Sequence, residues 1–332
     1  MEKNNIHVLI LIKKYLYFKN YLFFKGGKEI KMKNNHVAII LVILSTFFWG
    51  SNFNAGAIVV QQVAPLCAAS ERFIIATLVI FIYMLIRDKN NIVTFKLNWK
   101  PFLLLGLCGI TGFNLAFFIG LQTTSPINGA LIMATSPVTT ALIAAIIDKH
   151  HITKSQGIGM IISLLGVTLV ISNGNVVNLL QLEFSSGDLI IMLGNLAWAT
   201  YTVGCRKFIS NSTPLQTTTF TMLFGTLGIV LFTVFQADLI EQLTHISLAN
   251  HLLLIYLAIA GAVIAYLFWN IGIKRLGAAK TSIFFNLVPV FAMLISSVTG
   301  QIPNILQLVG TILVISGVIY ATRASRIVVK ES

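Results

Sequence analysis

Ten apolar runs, each long enough at about 17–25 residues to cross the hydrocarbon of a bilayer, divide this chain. They cover residues 37–60, 65–86, 101–121, 125–147, 155–172, 187–206, 214–235, 250–272, 279–299 and 304–322. In lipid a backbone finds no water to bond, so each run must close its own hydrogen bonds as a helix. The expected fold is an all-α integral membrane protein with ten transmembrane helices. A soluble domain is excluded: 56% of the 332 residues are hydrophobic, only 10% are charged, and mean hydropathy is +0.87.

The connections alternate in charge. One set carries Lys33; Arg87, Lys89, Lys96 and Lys100; Lys149 and Lys154; Arg206 and Lys207; Lys274, Arg275 and Lys280; and Arg323, Arg326 and Lys330. The other set, around 61–64, 122–124, 173–186, 236–249 and 300–303, has no Lys or Arg and holds Glu183, Asp238 and Glu241. Short basic connections stay in the cytoplasm, so both termini are expected there, with the chain in a bacterial cytoplasmic membrane. The formal charge of +13 is thus a topology signal and argues against a nucleic-acid partner.

Residues 1–31 stand outside this plan. Lys13, Lys14 and Lys19 interrupt IHVLILIKKYLYFKNYLFF too often for a span, and no small-residue cleavage site marks a signal peptide. Two readings stay open. KGGKEIKMKNN, encodable by purine-rich triplets like those of bacterial ribosome-binding sites, fits a start at Met32 with 1–31 untranslated; an interfacial basic anchor is the other. Cys67, Cys108 and Cys205 lie in apolar runs without CxxC spacing. His150, His151, His245 and His251 lie in or beside connections, and no HExxH pattern exists. No metal, disulfide or cofactor is expected.

The chain repeats itself. Trp49 and Trp198 are 149 residues apart, as are Pro65 and Pro214. GITGFNLAFFIGL (109–121) lies over GAVIAYLFWNIGI (261–273) at a shift of 152, and the same shift takes Pro137 to Pro289. QGIGMIISLLGV (156–167) then overlays QLVGTILVISGV (307–318), pairing Gly159 with Gly310 and Gly166 with Gly317. A register held over five runs divides the chain into 37–172 and 187–322, followed by a cytoplasmic tail at 323–332. Five is odd, so equivalent helices must run in opposite directions. Inverted repeats of this kind place a binding site at their interface, near mid-membrane, and permit alternating access.

These residues carry a family pattern. FFWGSNF (47–53), the Pro65 to Arg72-Phe73 stretch, and TTSPINGALIMATSPVTTALIAAI (123–146) with QGIGMIISLLGVTLV (156–170) resemble the first repeat of EamA-type members of the drug/metabolite transporter superfamily. NLAWATY (195–201), KTSIFFNLVPVFAMLI (280–295) and QLVGTILVISGVIY (307–320) resemble its second. The resemblance implies a ten-helix transporter of a small metabolite, with amino acids or related compounds the leading class. One departure stands out. Members usually carry a Glu just after the fourth and ninth spans, where this chain has Asp148 with His150 and Gly300-Gln301.

Polar residues inside the runs nominate a site. Trp49 and Asn52 share a face of the first helix by i, i+3 spacing, together with Phe53 and Gly56. Trp49 is read as a flat wall for cargo, Asn52 as a donor and acceptor, and Trp198 with Tyr201 as the opposing wall. The competing reading is helix-to-helix glue. Glu71-Arg72 is the only charged pair embedded in a run, and charges in lipid mark function by default. Arg72 suits a carboxylate or phosphate on the cargo, and Glu71 a proton-coupling site. Adjacent helix residues do not face each other, so the two are expected to meet different partners. Pro137 and Pro289 lie roughly 15 Å into their helices and are read as paired hinges, against ordinary packing kinks. Asn114, Tyr266, Trp269, Asn270 and Asn286 are secondary candidates.

The composite expectation is a secondary transporter moving a small metabolite, coupled to a proton or a counter-substrate. The alternative is a translocator of a lipid or lipid-linked sugar. No Walker motif supports ATP coupling. An enzyme would need clustered acids, bases or metal ligands near the interface, and the polar residues here are amides, hydroxyls and aromatics at mid-depth.

Overall fold

The computed structural model describes residues 35–323 apart from 89, 148, 150, 174, 176–182, 237–242, 245 and 299. The extension 1–31, the residues after 323, and the predicted connection charges Lys33, Lys89, Asp148, His150, Asp238 and Glu241 lie outside the described residues.

Ten membrane-scale helices follow one another. They are α1 (Asn35–Val59), α2 (Pro65–Arg87), α3 (Asn91–Gly120), α4 (Pro126–Ala134 and Ser136–Ile147), α5 (Lys154–Ile171), α6 (Ser186–Lys207), α7 (Pro214–Gln236), α8 (Leu248–Leu276), α9 (Ala278–Val298) and α10 (Ile305–Arg323). Among the described residues nine are long and apolar enough to cross a membrane, and α6 is the more polar tenth. The acid in its first turn, Asp188, is buried and satisfied: it accepts from Ser185 in a capping box and from Thr124 and Asn128 of the other repeat. Prolines open α2, α4 and α7 at a position where the missing N–H costs nothing.

One boundary departs from expectation. The third helix starts at Asn91, not near 101, and runs through Pro101. Lys96 and Lys100 therefore sit on the helix surface, exposed, with Lys100 Nζ 5.6 Å from the Trp99 ring centroid. Long basic side chains can snorkel to the headgroups, so they need not end a span.

The two repeats interlock. α1 packs between α8 and α9, while α6 packs against α3 and α4, so each repeat lends its first helix to the other. Equivalent helices meet face to face. Thr77 on α2 and Thr226 on α7, 149 residues apart, share a hydrogen bond of 2.7 Å. On α5 and α10 a Cβ at Gly159 would meet the Gly317 carbonyl, and one at Gly166 the Gly310 carbonyl, both at 2.6 Å. Contacts in that descending order mean that α5 and α10 run antiparallel. Pairs that map onto themselves under the repeat shift lie on a pseudo-twofold axis, and antiparallel equivalents make the repeats inverted.

Helical regularity breaks at matched places. α3 is π-helical over Leu107–Gly112 and α8 over Leu257–Ile264, segments that the 152-residue shift superposes. π-turns insert an extra residue and recur at functional sites. α4 breaks at Thr135, before Pro137, and α9 passes through a 3₁₀ turn at Phe284–Asn286, before Pro289. The broken α4 backbone is bridged from the second repeat: Asn195 donates to the Ile132 carbonyl at 3.0 Å and to the Thr135 hydroxyl at 2.8 Å. At the α9 break, Asn286 donates to Ser163 of α5 instead, at 3.0 Å.

Candidate functional site

Ser45, Trp49, Ser51 and Asn54 of α1 bond into the interlock. Trp49 and Trp198 meet edge to face with centroids 5.4 Å apart. The sequence reading had them as facing walls; here the walls touch. Trp269, Tyr266 and Phe285 surround Trp49 at 5.1, 5.7 and 5.7 Å, and Tyr201 stacks on Trp198 at 5.4 Å. Edge-to-face and offset rings attract through their quadrupoles, about 0.5–1.5 kcal/mol per pair beyond burial. Trp269 and Tyr266, secondary candidates from sequence, are thus as central as Trp49.

Below the indoles the two halves mirror each other. Asn52 tucks against Gly261, where any Cβ would overlap its amide, and Tyr201 presses in the same way on Gly109. Asn52 and Tyr201 are equivalent under the 149-residue shift, and both glycines lie in the π-helical turns. Only glycine permits so close an approach. Phe53 departs from the expected face: it is 51% exposed. Tyr201 acts less as a wall than as a network member, its hydroxyl accepting from Asn270 at 2.9 Å and lying 3.4 Å from the Thr221 hydroxyl.

The mirror fails at one bond. Trp49 Nε1 donates to the Gly261 carbonyl at 3.0 Å. Trp198, its equivalent and only 2% exposed, has a buried Nε1 with no partner among the described residues. Asn52 Oδ1 and Asn270 Oδ1 are likewise buried and unpartnered. Removing a bonded N–H costs about 1 kcal/mol, whereas removing an unbonded buried one costs little. Trp49→Phe is therefore expected to lower thermal stability by about 1 kcal/mol more than Trp198→Phe, as read by the unfolding midpoint in detergent. Equal losses would contradict the asymmetry.

Glu71 and Arg72 meet different partners, as helix geometry requires. Glu71 Oε1 lies 2.6 Å from His251 Nδ1 on α8, an ion pair whenever the imidazole is protonated. Arg72 makes no hydrogen bond or ion pair among the described residues; its guanidinium carbon stands 4.6 Å from the Phe73 ring centroid and its Nε is buried without a partner. Phe73 in turn packs edge-on against Tyr266 at 6.3 Å. An uncompensated cation thus borders the aromatic cluster, a setting that attracts an anionic group. His251 and Asn195 were not among the sequence candidates.

Residues 36–172 and again 185–323 match the EamA-like transporter family. The chain is 40% identical to the uncharacterized transporter YyaM of Bacillus subtilis (strain 168), over 89% of this chain and 96% of that one. It is 24% identical to a probable terminal-alkyne amino-acid exporter of Streptantibioticus cattleyicolor, over 66% of this chain and 73% of that one. A solved crystal structure shares its fold, with a TM-score of 0.73 at 19% identity, covering 90% of this chain and all of that one. With both repeats matched and interlocked about one axis, this chain is a multi-pass membrane protein of the EamA-like transporter family.

Proposed function

We propose that this protein is a secondary transporter of the bacterial cytoplasmic membrane, exporting a small amino-acid-like or other carboxylate-bearing compound by alternating access. The supporting observation is the broken mirror at the tryptophans: two equivalent repeats hold one hydrogen bond in one copy and lack it in the other. Inverted repeats in unequal conformations can exchange those conformations, which turns the same site from one face of the membrane to the other. Arg72 receives the cargo carboxylate, Trp49 and Trp198 flank its apolar part with Tyr201 stacked behind Trp198, and Asn52 supplies the polar contact. Pro137 and Pro289 mark the breaks where the backbone bends. The lysine-rich face is cytoplasmic, by the charge rule. A relative's name, which mentions amino-acid export, agrees with the cargo class.

Purified protein in liposomes, offered a panel of ¹⁴C-labelled amino acids with and without a pH gradient, tests the reading. Movement of at least one of them, cut by one to two orders of magnitude in Arg72→Gln, is the expected result. Transfer of labelled lipids with no movement of any amino acid would overturn it.

A further inference from the structure

Two buried asparagines tie the repeats together at opposite faces of the membrane. Asn98 lies near the start of α3 and Asn250 on the first turn of α8, and the 152-residue shift carries one onto the other. Each reaches out of its own repeat. Asn98 Nδ2 donates to the Ser210 carbonyl at 2.8 Å, and its Oδ1 accepts from the Ser210 amide at 2.9 Å, in the connection between α6 and α7. Asn250 Nδ2 donates to Gln62 Oε1 at 2.8 Å, in the equivalent connection between α1 and α2. The first contact sits at the lysine-rich face, the second at the face whose connections lack Lys and Arg. Two further bonds hold the start of α8, from His251 to Glu71 and from Tyr256 to Ser51. Their equivalents on α3 are Trp99 and Leu104, both exposed. Among the described residues, the asparagine contact is the tie that both repeats share.

We infer that Asn98 and Asn250 are the paired gate latches of the transport cycle: release of Asn98 opens the lysine-rich face, release of Asn250 the opposite face. The inference rests on the transporter reading above and gives its alternating access two named contacts. Inverted repeats that exchange conformations also exchange the roles of equivalent residues, so each latch opens in the state where the other stays closed. Both are closed here, with the two tryptophans in contact between them, as an occluded state requires.

The surroundings suit a latch that must open. Both asparagines precede the π-helical turns of their helices, Leu107–Gly112 and Leu257–Ile264. Helices kink at such turns, so the segments 91–106 and 248–256 can swing about them. The partners, Ser210 and Gln62, are exposed. On release they bond water, and one neutral hydrogen bond replaces another at small net cost. No charge is carried into the interior by an amide that lets go.

Two native cysteines report the two faces. Cys67, at the start of α2, is buried against Leu254 and Leu257 of α8. Cys205 is buried on α6, one turn beyond Tyr201 and on the same face, which presses on α3. The full chain keeps one of them, with the other two cysteines changed to Ser. In lipid nanodiscs, where both faces meet a water-soluble maleimide, the labelling rate follows the open fraction. Asn98→Ala is expected to raise labelling of Cys205 about tenfold and to leave Cys67 at its starting rate. Asn250→Ala, which removes one bond instead of two, is expected to raise Cys67 about fivefold and to leave Cys205 unchanged. Gln62→Ala, a change at an exposed side chain, should reproduce Asn250→Ala. Unchanged rates, a rise at the wrong face, or a rise at both cysteines from a single change, the mark of a protein loosened throughout, would overturn the inference. No cargo enters the measurement. A wild type that moves none of the amino-acid panel would sink the cargo reading, and the labelling pattern would still decide the latches.

Discussion

Arg72→Gln is expected to cut movement of carboxylate-bearing solutes by one to two orders of magnitude while leaving the protein at least as stable as the wild type. The guanidinium makes no ion pair among the described residues, and its Nε is buried without a partner. Holding a cation there costs desolvation that no carboxylate repays. Glutamine keeps much of the stem and hydrogen-bonding ability but removes the charge, so the unfolding midpoint should hold or rise by about 1 kcal/mol equivalent, less the contact with Phe73. Transport should fall about 10–100-fold, the worth of a charge-assisted hydrogen bond to the cargo. Lysine keeps the charge and loses the planar fork, so Arg72→Lys should lie between. A purely structural arginine predicts the opposite sign: stability lost by about 3–5 kcal/mol, as for one partner of a broken buried pair. Thermal unfolding and vesicle uptake measured on the same preparations separate the two.

Much of the architecture was legible because hydropathy acts on each run separately. Nine of the ten expected runs agree with the helices to within a few residues, since lipid leaves a long apolar segment no alternative to internal hydrogen bonding. The third was misplaced at its start because Lys96 and Lys100 read as connection charges when they are snorkelling surface residues. The repeat spacing named Trp49 and Trp198 as equivalents, but not that they touch; a shift of 149 is equally compatible with residues on the axis and far from it. His251 left no signal at all. Its partner lies 180 residues away, and a histidine one turn into a helix beside a polar connection has many bland explanations. The π-helical turns were invisible for a related reason. The glycines at 109 and 261 aligned only as a repeat match, and the groups that approach them, Tyr201 and Asn52, come from the other repeat.

Gly166→Val, or Gly159→Val, should cost the protein its fold. A Cβ at Gly166 would stand 2.6 Å from both the Gly310 carbonyl oxygen and the Val314 amide nitrogen, and one at Gly159 would stand 2.6 Å from the Gly317 carbonyl and the Ala321 Cβ. Most of these obstacles are backbone, so no rotamer relieves them; α5 and α10 must part. Small residues allow such helices to associate by dispersion where lipid offers no hydrophobic drive, and parting forfeits that contact along the whole crossing. Overpacking typically costs 1–3 kcal/mol even when side chains can yield, so about 3 kcal/mol or more is expected here, read as loss of monodisperse protein and a collapsed unfolding midpoint. Gly157→Ala is the control. Nothing lies within 4 Å of a Cβ there, and alanine gains up to about 1 kcal/mol of helix propensity. The close contact of Gly159 with Gly317 also fixes the outcome of combining changes. Once Gly159→Val has separated the helices, Gly317→Val has less left to break, so the double variant should lose less than the two singles added. Strict additivity would mean that α5 and α10 do not meet at these glycines, and the pseudo-twofold axis drawn through their crossing would have to be moved.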